Sequence, residues 1–111
     1  MKTICFDLDG VICNTKKNYY KKSVPIKKNI KFINCLHDRG FVIKIYTARF
    51  MGRNKDDSRK AHLQGYQFTS KQLKSWGVKY DKLILGKPSC DIFVDDKSLF
   101  FKKNWANKKN F

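Results

Sequence analysis

The sequence predicts an α/β fold: a small parallel sheet of about four strands with flanking helices. Three observations lead there. Extended and helical patterns follow one another as strand, helix, strand, helix, strand, strand, which is the signature of a parallel α/β sheet. The residues that could do chemistry gather at the carboxyl ends of those strands, where such sheets bind ligands. The length, 111 residues with 41% hydrophobic and 14% aromatic side chains, is that of one domain with a core of its own.

The first strand spans 2–8, where Ile4, Phe6 and Leu8 alternate with Cys5 and Asp7. It runs out through Asp7 and Asp9, two apart, so in an extended chain both carboxylates reach the same side. Residues 10–24 read as a polar loop or small flap carrying Tyr19 and Tyr20, with no room for a cap domain. Pro25 suits the first turn of a helix. Ile26, Ile30, Ile33 and His37 then recur at helical spacing, and Gly40 stops it. The second strand, 41–46, is mostly apolar, as strands covered on both faces are, and ends in Thr47-Ala48-Arg49. Residues 50–68 show weak periodicity and suit a loop with a helical turn. Thr69 and Gln72 form a capping-box pattern that starts a second helix, which Gly77 ends. A third strand covers 82–85 and closes in Gly86-Lys87-Pro88; a fourth covers 91–94 and ends in Asp95-Asp96. The tail, 97–111, reads as a helix that packs its aromatics on the sheet.

The net charge is +16, from 25 Lys+Arg against 9 acidic residues, all of them Asp. Codon bias accounts for many lysines but not for the missing Glu; the other account is a basic surface that draws phosphorylated or polyanionic partners. No apolar run approaches a membrane span of about 20 residues. The chain meets its carboxylate pair before a signal-peptide core could form, which argues for a cytoplasmic protein. Cys5, Cys13, Cys35 and Cys90 lack CxxC spacing, so buried thiols are expected rather than disulfides or a zinc site.

Two carboxylates at one strand end repel unless a cation relieves them, and a hard, oxygen-seeking ion such as Mg²⁺ does so. With a lysine and a hydroxyl on neighbouring strand ends, the rim makes a phosphate site. Asp7 is the candidate nucleophile, able to accept a phosphoryl group. Asp9 is placed to protonate the leaving oxygen and later to activate water. Lys87 and Mg²⁺ would neutralise the transferring group, Thr47 would hold a phosphoryl oxygen, and Asp95 and Asp96 would complete the metal shell.

DLDGV, YTAR, GKP and VDDK, in order from Asp7 to Asp96, resemble the four signatures of the haloacid dehalogenase (HAD) superfamily of Mg²⁺-dependent phosphatases. The resemblance implies a doubly wound, Rossmann-like sheet in the strand order 3-2-1-4, in the capless branch similar to small surface-polysaccharide phosphatases. It also implies that Asp7 is nucleophile and metal ligand, and that Asp9 is acid/base and lends the metal its main-chain carbonyl. Thr47 and Lys87 fall on the family's phosphate-holding positions, and Asp95 and Asp96 on its late acidic pair. Gly10, Ala48 and Arg49 accompany them as substrate-binding positions.

Arg49, two beyond Thr47, is read either as an anion holder or as a surface residue. Arg53, Lys55, Arg59 and Lys60 form either a solvated face or a specificity wall. His37 reads as structural and His62 as a substrate contact in a loop; Phe100, Phe101 and Trp105 read as core or as contacts of a homodimer. The expected activity is phosphomonoester hydrolysis on a small phosphorylated metabolite such as a sugar phosphate. A nucleotide or polynucleotide phosphatase, less favoured because the lysine pairs are scattered, and a non-catalytic anion-binding module are the alternatives.

Overall fold

The computed structural model describes residues 2–92, 94–102 and 104–111. Its centre is a parallel sheet of β1 (Thr3–Asp7), β4 (Val42–Thr47) and β5 (Lys82–Leu85), in the order β1-β4-β5. Thr3 pairs with Val42 and Asp7 with Tyr46; Lys44 pairs with Lys82 and Thr47 with Leu85. Between β1 and β4 come a small antiparallel hairpin, β2 (Cys13–Asn14) with β3 (Val24–Pro25), and helix α1 (Lys27–Asp38). Helix α2 (Ser58–Ser75) links β4 to β5.

The strands are laid down in one direction, and right-handed crossovers then put both helices on the same face. Burial follows that rule. Phe6, Ile43, Ile45, Thr47, Leu83 and Leu85 are buried, while Thr3, Cys5, Lys44 and Lys82 on the alternate positions are exposed or half-buried. Ile30, Ile33 and Leu36 of α1 and Leu73 of α2 complete one core. The expectation that the second strand is covered on both faces is therefore corrected among the described residues: one face is covered. The same bare face leaves Cys5 exposed; Cys35 and Cys90 are exposed as well, and Cys13 alone of the four thiols is buried as expected.

Three further expectations change. Helix α2 begins twelve residues or so before the Thr69 capping box, because the Asp57 carboxylate accepts the Arg59 and Lys60 amides and starts it there; Thr69 lies buried in its middle. The expected strand over 91–94 includes Phe93, which lies outside the described residues; Asp91, Ile92 and Val94 form no strand. Among its described residues the tail is irregular rather than helical, closing in a 3₁₀ turn at Lys108–Asn110. Its asparagines capture the backbone: Asn107 donates to the Asn104 carbonyl and Asn110 to that of Trp105. Trp105 nonetheless packs on the sheet, 5.4 Å from the Phe6 ring, with Phe32 and Phe111 around it. Phe100 and Phe101 stay exposed.

Candidate functional site

The three parallel strands end on one rim, and β1, β4 and β5 bring Asp7, Thr47 and Lys87 there. Lys87 Nζ lies 3.2 Å from Asp7 Oδ2, and the Leu8 amide donates to Asp7 Oδ1. Beyond Asp7 the chain coils tightly, with the Leu8 carbonyl accepting from Val11, Ile12 and Cys13. Gly10 turns with φ +93°, a conformation that side chains rarely adopt, and its amide donates to the Cys13 carbonyl at 2.7 Å. Its N–H is thus committed to the turn. Thr47 is fully buried; its hydroxyl accepts from the Arg49 amide, and its carbonyl accepts from Gly86 and Lys87. The Ala48 carbonyl accepts from Met51.

Past the coil, the Asp9 carboxylate meets Arg49. The Arg49 side chain is fully buried, and Nη2 and Nε reach the Asp9 carboxylate at 2.8 and 3.0 Å. Nη1 donates to Gln72 Oε1 at 2.6 Å, Nη2 also meets Ser23, and the Tyr20 ring covers the guanidinium at 4.7 Å. Thr15 donates to Asp9 at 2.6 Å, and Gln72 holds the flap by donating to the Tyr20 carbonyl. Arg49 therefore holds a carboxylate of this chain, and its burial corrects the reading of it as a surface residue. Thr15, Ser23 and Gln72 join the site without a sequence signal, because each meets it from a distant part of the chain; Gln72 had read only as a helix cap.

Opposite pKa directions follow. Burial raises Asp7, against the charge and hydrogen bond of Lys87 and the Leu8 amide, with a small upward push from Asp9. Burial would raise Asp9 as well, but the hydrogen bonds and charge of Arg49, with Thr15 and Cys13, outweigh it and leave Asp9 lowered. Burial lifts the Cys13 thiol to about 11, so it stays protonated between Asp9 and Thr15.

The structure does not bring Asp95 and Asp96 to this rim. Both are exposed, and Asp95 accepts from the Lys97 amide in a local turn. Among the described residues no group of three or more His, Cys or Asp side chains could hold a metal ion. Asp7 alone suits a hard cation in its chemistry: it is a hard oxygen donor whose charged form burial disfavours, and Mg²⁺ keeps several waters of its own, while the Asp9 carboxylate is taken by Arg49. The late pair is missing from the donor set.

Arg53, Lys55, Arg59 and Lys60 are all exposed, on the turn after β4 and the start of α2. His62 lies on α2 rather than in a loop and stacks on Tyr66; His37 faces Asp81 at 3.6 Å. No helix among the described residues is long and apolar enough to cross a membrane.

No protein-family model and no curated protein matches the chain. It is similar to the crystal structure of an MCSG target from Vibrio cholerae, with TM-score 0.82 and 28% identity, over 89% of this chain and 83% of that one.

Proposed function

We propose that the chain is a phosphomonoesterase that forms an aspartyl phosphate on Asp7, a capless member of the HAD superfamily acting on a small phosphorylated metabolite in the cytoplasm. One observation carries the reading: a carboxylate and a lysine meet at 3.2 Å on the carboxyl ends of β1 and β5, with the Thr47 strand end between them. An Asp7 oxygen attacks phosphorus, the bond to the ester oxygen breaks, and Lys87 balances charge on the transferring group. The departing oxygen takes a proton from Asp9, which then withdraws one from the water that releases phosphate. In the resting arrangement Arg49 keeps Asp9 ionised, so the flap network around Arg49 loosens before Asp9 can carry that proton. Mg²⁺, held by Asp7 and the Asp9 main chain, would favour the ionised nucleophile. In the 3-2-1-4 sheet that the resemblance implies, Asp95 and Asp96 would join it as the late acidic pair.

The non-catalytic alternative is favoured by a different fact: both rim carboxylates already have basic partners and the late acidic pair stands apart. A phosphate-release screen over sugar phosphates and nucleotides, with Mg²⁺ and with chelator, separates the two. Release that needs Mg²⁺ and vanishes in Asp7→Asn is the expected result. No release from any substrate, or release unchanged in Asp7→Asn, would reject the covalent mechanism.

A further inference from the structure

Beside the Asp9–Arg49 pair opens a cleft of about 480 Å³ between the flap and α2. Tyr19, Tyr20, Phe50 and Phe68 supply its rings and Lys21, Lys22 and Arg53 its charges; no acidic residue lines it. A larger groove, about 700 Å³, runs along α1 past Pro25, Ile30 and Trp76; no rim residue borders either cavity, but Tyr20 in the wall of the smaller one touches Arg49.

The cleft is joined to the site by a chain of cation–ring and ring–ring contacts, the two rings tilted to one another. Arg49, bound to Asp9, lies 4.7 Å from the Tyr20 ring; that ring lies 5.2 Å from Phe50, and Arg53 covers Phe50 at 4.5 Å. A backbone feature and a ring contact hold Phe50 in this wall. It has φ +67°, a left-handed conformation that is costly for a bulky residue and concentrates at functional sites. Its ring also lies so close to α2 that only Gly65 fits there: a Cβ would come 2.3 Å from Phe50 Cδ2. Tyr19, Lys21, Lys22 and Arg53 remain exposed around the mouth.

We propose that this cleft binds the leaving group of the substrate, and that the leaving group carries a ring and a second anion. The rings offer stacking faces to a sugar or a base, and the three cations at the mouth select the second negative charge. This rests on the phosphatase reading for the word "leaving group", but binding can be measured without turnover. The host is the Asp7→Asn protein with Mg²⁺, titrated calorimetrically with glucose bisphosphate, adenosine bisphosphate, the ringless propanediol bisphosphate and glycerol phosphate. At least one ring-bearing bisphosphate should bind about tenfold more tightly than the other two compounds, a gain on the scale of one cation–ring or charge-assisted contact. Arg53→Ala, at an exposed position, should remove that gain, and Tyr19→Ala should reduce it. Which bisphosphate wins distinguishes a hexose from a nucleoside. Ring-bearing and ringless compounds binding alike, or an advantage that survives both substitutions, would overturn the cleft. Tight, Arg53-dependent binding with no phosphate release by the unsubstituted protein would keep the cleft and reject the phosphatase.

Discussion

Asp7 and Asp9 sit two residues apart and titrate in opposite directions, so they pull stability opposite ways with pH. The folded pKa of Asp7 is raised above 3.8, so the folded state holds its proton longer than the unfolded chain does. Stability from Asp7 is present below that value and is lost as pH rises through its folded pKa. Asp7→Asn should therefore be more stable than the original protein at neutral pH in chelator, and nearly equal to it in acid. Urea denaturation at the two pH values checks this; a less stable Asn variant at neutral pH would contradict the assigned burial. Asp9 runs the other way: its contribution is present above 3.8 and is lost as pH falls through its lowered pKa. Removing its partner leaves a largely buried carboxylate unpaired, so Arg49→Ala should cost about 3 kcal/mol in the same measurement at neutral pH. Arg49→Lys should recover less than half of that, since one ammonium cannot serve Asp9, Gln72 and Ser23 in their planar arrangement. The sequence made Asp7, Asp9, Thr47 and Lys87 legible because strand ends announce themselves by a change from apolar to polar. It hid the partner of Asp9, since a 40-residue separation between Asp9 and Arg49 leaves no local trace.

Helix α2 shows where local rules stop. Its cap, Asp57, precedes a charged and glycine-containing stretch, so periodicity is weak over the first half of the helix and is clear only near Leu73. What orders that half is packing: Ala61, Gly65, Thr69 and Leu73 are its buried residues, a stripe at helical spacing in which Gly65 gives no apolar signal. By contrast β1, β4, β5 and α1 were legible to within a residue or two, because their apolar positions alone carry the pattern. In an exposed helix, Gly65→Ala would gain about 1 kcal/mol from propensity. Here the new methyl meets the Phe50 ring at 2.3 Å and Leu85 at 3.0 Å, with Phe50 fixed by its left-handed backbone. Overpacking of about 1–3 kcal/mol should exceed the gain, so the variant should be net less stable. A midpoint of urea denaturation at or above that of the original protein would show that the Phe50 ring can swing aside.

At the scale of the molecule, the decisive fact is that the strands advance in one direction, so both helices cover one face and the other is left to whatever follows β5. The expected strand at 91–94, the tail helix and the late acidic pair all belong to that part of the chain. Their patterns are short; Ile92 and Val94 are 81% and 91% exposed, so packing does not reinforce the signal there, and in the tail Trp105 packs on Phe6 without a helix. Cys5 reports directly on this face, because it alternates with Phe6 on β1 and points away from the core. Thiol chemistry makes the arrangement measurable. Cys5, Cys35 and Cys90 are exposed, while Cys13 is buried, hydrogen-bonded and pushed up to about 11, which starves it of thiolate. An aromatic disulfide reagent at neutral pH should thus modify three thiols of the native protein rapidly, and the fourth only in denaturant. Mass spectrometry of the digested protein assigns them. If Cys5 is protected while Cys35 and Cys90 react, residues that follow β5 cover the second face in solution, and the one-sided sheet is wrong. If Cys13 reacts with the fast group, the flap does not close over Arg49, and the network that keeps Asp9 ionised is not held in the free protein.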